Sequence, residues 1–144
     1  AEIATSVGRV NELLGKFETV NRAIVFGTAT GADVTDQLDT RDKLLSQISE
    51  EIGVSVIHRA NNDMAIYTDS GVTLFEKTAR TVSFAPTPGL APGAAGAAVM
   101  ADGVPITGPT ATMAIKSGRI FGNAVVRDQT AVMYQRQLDE AARG

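Results

Sequence analysis

The N-terminal part of the chain repeats an apolar side chain at alternating spacings of four and three residues. This heptad spacing predicts one long helix that packs against another helix. Leu13, Val20 and Val25 widen the stripe beyond a narrow seam, which favours a globular bundle over a two-stranded coiled coil. The stripe consists of Ile3, Val7, Val10, Leu14, Phe17, Asn21 and Ile24, with Asn21 as its one polar member.

A second helix is predicted after the turn-rich link between Gly27 and Gly31. Asp33 is its expected N-cap, and Gly53 is expected to end it in the left-handed conformation. Because the link is short, residues 1–53 should form an antiparallel helical hairpin. The apolar stripe of this helix is predicted at Leu38, Leu45, Ile48 and Ile52, with Leu44 beside it.

The position of Arg41 follows from this stripe. Arg41 should lie near the edge of the stripe or on the solvent side. Arg41→Ala would then remove at most a surface ion pair and some packing of the aliphatic part of the arginine side chain. The same substitution should therefore leave the stability of the domain nearly unchanged.

The spacing changes at Val54, where apolar and polar residues begin to alternate with the period of a strand. Turn clusters interrupt the alternation, which predicts an antiparallel β-meander. We expect a β-rich insertion over 54–116, with further strands at Val72–Glu76, Thr81–Ala85 and Thr112–Ile115. All five prolines lie within 86–109, which predicts a mobile Pro/Gly/Ala surface loop.

Helical spacing returns near the C-terminus and predicts a return helix over 117–144 that packs on the hairpin. The fold class is therefore α+β: a bundle of long helices, an N-terminal pair plus a return helix, that carries an inserted antiparallel β-meander. The chain starts inside a helical pattern without a capping residue, so we expect it to be an internal fragment of a larger protein.

Composition narrows the function classes. The chain has 144 residues, a net charge of −3 and no basic block, which argues against nucleic-acid binding. It contains no apolar run of the ~20 residues needed to cross a membrane, and no signal peptide opens it. Cysteine is absent, which excludes disulfides, thiolate metal sites and cysteine nucleophiles within the chain.

Candidate chemistry is sparse. His58 is the only histidine, and no Gly-x-Ser-x-Gly motif accompanies it, so no catalytic residues are predicted and the chain is not expected to be an enzyme. The aspartates at 33, 36, 39 and 42 lack the alternating oxygens and turn glycine of a calcium loop. We therefore assign them to helix capping and solvation, and predict no metal and no cofactor.

Three stretches carry a family resemblance. The second helix contains Asp39-Thr-Arg41-Asp42-Lys-Leu44-Leu45 and runs through Gly53-Val54 into a strand. A hairpin, Ala65-Ile-Tyr67-Thr-Asp-Ser-Gly71, follows, and the return helix carries Ser117-Gly118-Arg119, Val126-Arg127-Asp128 and Tyr134 to Asp139. In this order they resemble the first hook-associated protein of bacterial flagella, whose helix carries an acidic–Gln–Arg–Asp–x–Leu–Leu core. Thr40 stands where that family usually has Gln.

The resemblance implies a structural protein of the hook–filament junction, with a helical part continuous with the flagellar tube wall and a β-rich part further out. It implies other axial proteins as partners, namely the hook, the second junction protein, the filament and the cap. It also implies an extracellular location in the flagellum, after export through the flagellar channel. Without the terminal segments that polymerise, the fragment is expected to be monomeric.

Two alternatives stay open at this point: another axial protein, such as the filament cap or the second junction protein, and a non-enzymatic helical ligand-sensing module. The pairs Arg41–Asp42 and Arg127–Asp128 are our candidate subunit-interface residues. Each pair could equally be a surface ion pair within the fold.

Overall fold

The computed structural model describes residues 2–84 and 98–127. It opens with a helical hairpin of α1, Glu2–Ala29, and α2, Thr35–Glu51. All seven members of the predicted heptad stripe of α1 are buried, including Asn21. The face of α1 was therefore predicted correctly from the spacing of its apolar residues.

The two ends of α2 differ from the prediction. Asp33 does cap the helix, but from one position further out, since its Oδ1 accepts hydrogen bonds from Thr35 N at 3.0 Å and Thr35 Oγ1 at 2.6 Å. These bonds hold the pKa of Asp33 below its usual range. At the other end Ile52 is extended, and Gly53 does not have a positive φ, so the expected left-handed glycine cap is wrong.

The buried face of α2 is rotated from the predicted one. Leu44 and Ile48 are in the core, while Leu45 is only partly buried. Arg41 is on the buried face and is 4% exposed, so its predicted position towards solvent is wrong. The physical reason is that α2 faces a polar turn of the β-region there, which provides partners for a guanidinium.

The strands form two antiparallel sheets, where the sequence predicted one meander. The first sheet has the order β1-β2-β3-β4, and the second has the order β5-β6-β7. A 3₁₀ turn, Ala60–Asn62, joins β1 to β2. The strands are β1 Val54–His58, β2 Met64–Thr68, β3 Thr73–Glu76, β4 Thr78–Ala79, β5 Val82–Phe84, β6 Val99–Ala101 and β7 Val104–Pro105.

The predicted loop over 86–109 is wrong in its second half. Residues 85–97 are outside the described residues, but β6 and β7 lie within the predicted loop and turn at Asp102-Gly103, both with positive φ. Thr107 is buried, and its Oγ1 accepts a hydrogen bond from Val99 N at 2.9 Å.

The strand expected at Thr112–Ile115 is also absent. That segment forms turns, and Ile115 N donates to Ile106 O at 2.8 Å. This bond and one from Ser70 Oγ to Ala114 O therefore take the place of the predicted strand pairing.

A third helix, α3, begins at residue 119 and is described to residue 127, and the rest of the predicted return helix lies outside the described residues. Ile120 and Ala124 join a core that also contains side chains of α1, α2 and both sheets, including an edge-to-face pair of Phe17 and Phe75 with ring centroids 5.0 Å apart. The α+β class with inserted antiparallel strands is confirmed. The core includes residues from both sides of positions 53 and 116. The division into three parts at these positions stays a prediction.

Among residues 2–84 and 98–127, no helix combines the length and the apolar character that a membrane span requires.

Candidate subunit interface and the polar networks behind it

Arg41 ties α2 to the turn between β1 and β2. Its Nη1 donates to Asn21 Oδ1 of α1 at 2.8 Å and to the carbonyl oxygen of Asn62 at 2.5 Å. Asn62 can accept this bond because Asn61 and Asn62 both have positive φ, a conformation that asparagine tolerates better than most residues. The guanidinium therefore joins three elements of the fold.

Asp63 continues this contact on the other side of Asn21. Asn21 Nδ2 donates to Asp63 Oδ1 at 2.7 Å, and Met64 N donates to the same oxygen at 2.9 Å. Lys77, which follows β3, forms an ion pair with Asp63 Oδ2. We call Asn21, Arg41, Asn62, Asp63 and Lys77 the Asn21 network.

Burial shapes the charges of this network. Burial by itself raises the pKa of Asp63, but the hydrogen bonds from Lys77 and Asn21 and the charge of Lys77 outweigh it, so the pKa of Asp63 lies below its usual range. Burial lowers the pKa of Arg41, and the nearby charges of Asp42 and Asp63 oppose that effect. Arg41 remains a cation at neutral pH, because the pKa of a guanidinium lies far above neutrality.

A second polar cluster lies at the C-terminal end of α2. Glu51 is fully buried, and its Oε1 is 3.7 Å from Arg9 Nε of α1 and forms an ion pair with Arg119 Nη1 of α3. A carboxylate in the last turn of a helix is unfavourable to the helix dipole. The two arginines offset this cost, and in doing so they connect all three helices.

The chain passes very close to itself beside Glu51. Gly53 N donates to Ser117 O at 3.0 Å, and Asp69 N donates to Gly53 O at 2.9 Å. A Cβ added to Gly53 would lie 2.0 Å from Ser117 Oγ, and one added to Gly118 would lie 2.7 Å from the backbone N of Ile52. Gly118 also has a φ of +94°, so glycine is required there for two reasons.

The four candidate interface residues have different surroundings. Arg41 belongs to the Asn21 network, whereas its neighbour Asp42 is exposed. Arg127 lies with its Cζ 5.7 Å from the ring centroid of Phe84, a cation–π contact within the fold, and Asp128 lies outside the described residues. Arg41 and Arg127 contact different elements, so the structure does not bring these two arginines together. Their role between subunits stays a prediction, for which Asp42 has the most accessible side chain of those described.

Sequence reasoning missed Glu51 and Asp63. Neither stands in a motif, and both owe their role to partners far away in the sequence. Asn21 did give a signal, since it is the one polar residue in an otherwise apolar stripe. A buried asparagine needs several hydrogen-bond partners, and Arg41 and Asp63 provide them.

Comparison with known families agrees with these features. The sequence model of the helical domain of the flagellar hook-associated protein FlgK matches residues 1–144. The chain belongs to the FlgK family. No curated protein sequence matches the chain significantly. The predicted resemblance to a hook-associated protein is thus confirmed over the whole sequence.

FlgK proteins are exported, extracellular components of the flagellum with a structural role. The chain is therefore a structural flagellar component that assembles with other axial proteins. In this FlgK helical domain the heptad stripe of α1 forms the centre of the core, and the Asn21 network and the Glu51 cluster join the hairpin to the β-region and to α3.

Proposed function

We propose that this chain acts at the junction between the hook and the filament, as a structural element that joins the two. Its proposed partners are the hook, the second junction protein, the filament and the cap, and it reaches them through the flagellar export channel. The observation that carries the proposal is the match to the FlgK helical domain along the whole sequence.

The architecture supports a mechanical role. Polar contacts hold α2 at two places. Arg41 binds α1 and the β1–β2 turn, and Glu51 binds α1 and α3. An apolar core lies between them and includes residues of both sheets. Such an arrangement holds the outer surfaces of the domain in fixed relative positions, which a joint between two polymers requires.

We also propose that the chain is not an enzyme. In the part of the chain that the structure describes, no group of three or more His, Cys, Asp or Glu residues is arranged to hold a metal ion. His58 lies exposed at the end of β1, on an edge strand. These observations favour an assembly role over a catalytic one.

Location within the flagellum tests the proposal. Thr112 is exposed and the chain has no cysteine, so Thr112→Cys gives one maleimide-reactive site in this chain. Cells that carry this change in the full-length protein would be labelled with a maleimide dye, with the unsubstituted strain as the control. We expect one spot between hook and filament on each flagellum. Label along the whole filament, or only at its distal end, would overturn the junction assignment.

A further inference from the structure

The two sheets have four outer strands, and side chains of α1 cover the edges of two of them. The outer strands are β1 and β4 in the first sheet and β5 and β7 in the second. On β4, Ala79 N donates to Glu18 Oε1 at 2.8 Å. On β5, Val82 N donates to Asn11 Oδ1 at 2.9 Å, and Asn11 Nδ2 donates to Val82 O at 2.7 Å. Two side chains of α1 therefore occupy backbone groups that a further strand would need.

Proline protects the third edge. Directly after β7, Ile106 N donates across the sheet to Val99 O at 2.9 Å. Neighbouring residues of an antiparallel strand turn their backbone N atoms in opposite directions, so that of Pro105 faces the outer side of β7. Proline has no N–H and cannot donate to an added strand. Three of the four edges are thus protected against strand pairing.

β1 is the fourth outer strand, and its hydrogen bonds show which of its backbone groups face outwards. Arg59 N donates to Asp63 O at 2.8 Å, and Asp69 N donates to Gly53 O at 2.9 Å, at the two ends of the β1–β2 pairing. Because ladder bonds alternate along an antiparallel pair, the odd-numbered residues of β1 turn their N–H and C=O groups towards β2. The even-numbered residues turn theirs away from the sheet. They are Val54, Val56 and His58.

The outer edge of β1 is open within residues 2–84 and 98–127. No group in that part of the chain forms a hydrogen bond with the outward N–H and C=O groups of β1. β1 contains no charged residue and no proline, and its register with β2 is continuous over all five residues. Charge, proline, bulges and covering groups are the usual protection of an edge strand. The fold therefore protects three edges and leaves this one free to pair.

The chemistry of this edge defines what fits it. The outward groups repeat at every second residue, roughly every 7 Å, and an extended backbone carries its own groups at the same interval. Ile57 of β1 is 49% exposed and offers an apolar contact beside them. Arg59, directly after β1, is already paired with Glu76 at 3.1 Å. The edge therefore fits an uncharged extended segment with an apolar side chain opposite Ile57.

We propose that β1 binds an extended, uncharged segment of another axial protein, which joins the first sheet as a further strand. The backbone of this segment pairs with Val56 and His58, and one of its apolar side chains packs against Ile57. Strand addition of this kind takes its affinity from main-chain hydrogen bonds and its specificity from side chains. The proposal rests on the proposed function for the class of partner, and it adds the surface and the mode of binding.

A second copy of this chain does not meet the same requirement. Among the described strands only β1 is open, so two copies would have to pair through the same edge. A contact between identical patches closes into a two-fold pair. Such a pair leaves no open edge for a following molecule and cannot connect two different polymers. A joint between hook and filament therefore needs the added strand to come from a different chain.

Hydrogen exchange with a model peptide tests the edge. The probe is a heptapeptide of alternating threonine and valine, blocked at both ends and N-methylated at its valines, so that it pairs through one edge only. Amide exchange of the isotope-labelled chain would be followed by NMR with and without millimolar peptide. We expect exchange at Val56 and His58 to slow by about tenfold or more, whereas Ser55 and Ile57 are protected by β2 in both samples. The same peptide N-methylated at every residue is the control and should change nothing.

Two variants of β1 make the test specific. Ile57→Lys places a charge beside the added strand, and His58→Pro removes an outward N–H without breaking a bond to β2. Each should raise the peptide concentration that half-protects Val56 by roughly tenfold. Thr19→Lys, exposed on α1, makes the same change in charge and should not. Thermal melting would verify that the variants are folded, which we expect because Ile57 and His58 are exposed.

A photo-cross-link identifies the natural occupant. Ser55 is exposed on β1 and the chain has no cysteine, so Ser55→Cys in the full-length protein accepts a benzophenone maleimide next to the edge. Isolated flagella would be labelled and illuminated, with the unsubstituted strain as the control. We expect an adduct with a different axial protein, identified by mass spectrometry.

Several results would overturn the proposal. Exchange at Val56 and His58 that does not slow with the probe, or slows equally with the fully methylated peptide, would exclude strand addition at this edge. Slow exchange at Val56 in the dilute chain without peptide would show that the chain covers the edge itself. Adducts with copies of this chain only, or no adduct at all, would exclude the proposed partner. None of these results depends on where the maleimide dye at Thr112→Cys lies in cells, so failure here is distinguishable from failure of the junction assignment.

Discussion

Arg41→Ala is the substitution that most directly tests the observed packing, because the sequence and the structure predict opposite results for it. From the apolar spacing of α2, Arg41 should lie near solvent and its loss should matter little. In the structure its side chain is buried and donates to Asn21 Oδ1 and to the carbonyl oxygen of Asn62. Alanine would leave both acceptors without this donor.

The size of the effect follows from those acceptors. Asn21 is buried, and a buried acceptor left without a donor costs about 1–3 kcal/mol, whereas Asn62 is exposed and water can replace the donor at its carbonyl oxygen. Alanine also removes the packing of the Arg41 stem. In the opposite direction, the parent protein already bears the desolvation of a buried guanidinium whose Nε has no hydrogen-bond partner among the described residues. We therefore expect the free energy of unfolding to fall by about 1–3 kcal/mol, a large part of the ~5–15 kcal/mol typical of a domain.

Urea unfolding of the 144-residue chain, followed by circular dichroism, measures this difference. Asp42→Ala is the matched control, since Asp42 is the adjacent residue but is exposed, and it should change the unfolding free energy by less than about 0.5 kcal/mol. Arg41→Met keeps most of the stem and isolates the polar contribution. If Arg41→Ala unfolds within about 0.5 kcal/mol of Asp42→Ala, the Asn21 network does not stabilise the fold as we argue.

Three further results are expected. The pKa of Asp63 is lower in the folded than in the unfolded chain, so the stability that Asp63 contributes is complete above its unfolded pKa near 3.9 and is lost as the pH falls through its folded pKa. Lys77→Met removes the main partner that lowers this pKa, so it should move the midpoint of acid unfolding to higher pH. An unchanged midpoint would contradict this. Gly118→Ala should lower the free energy of unfolding by more than about 2 kcal/mol, because Gly118 has a positive φ and an added Cβ would collide with the backbone of Ile52. Gly8→Ala, whose added Cβ would meet nothing within 4 Å, should raise it by about 0.5–1 kcal/mol, and equal midpoints of urea unfolding would refute this difference. Sedimentation velocity at micromolar concentration should show a monomer, and a stable oligomer independent of concentration would show that the polymerising segments are not needed for association.

The regular apolar spacing of α1 explains why so much of the hairpin could be predicted. Seven positions at heptad spacing define one helix face, and a face that packs on several elements must be buried along its length. The change to alternating residues at Val54 located the start of the first sheet in the same way. These predictions needed only local periodicity, which the sequence contains directly.

The errors have a common physical origin. Arg41 was placed by a rule that treats charge as a sign of solvent exposure, and that rule fails where a distant turn provides hydrogen-bond acceptors. Likewise β6 and β7 are short and lie in a segment rich in Gly and Pro, so local propensity predicts a loop there. β6 pairs with β5 across residues 85–98, and β7 pairs with β6, and this strand pairing outweighs that propensity.

The positions of the polar contacts bear on how the domain would work in an assembly. Arg41 and Glu51 are ten residues apart on α2, roughly 15 Å, and the apolar Leu44 and Ile48 lie between them. Apolar contacts tolerate small rotations, whereas hydrogen bonds depend on direction, so the two polar contacts fix the angle of α2 against the β1–β2 turn and α3. Replacing Asn21 and Arg41 together by apolar residues of similar size would leave the buried carboxylate of Asp63 without the Asn21 donor. We therefore expect this double variant to lose stability together with the fixed angle of α2, and an unchanged midpoint of urea unfolding would contradict the alignment role of the network.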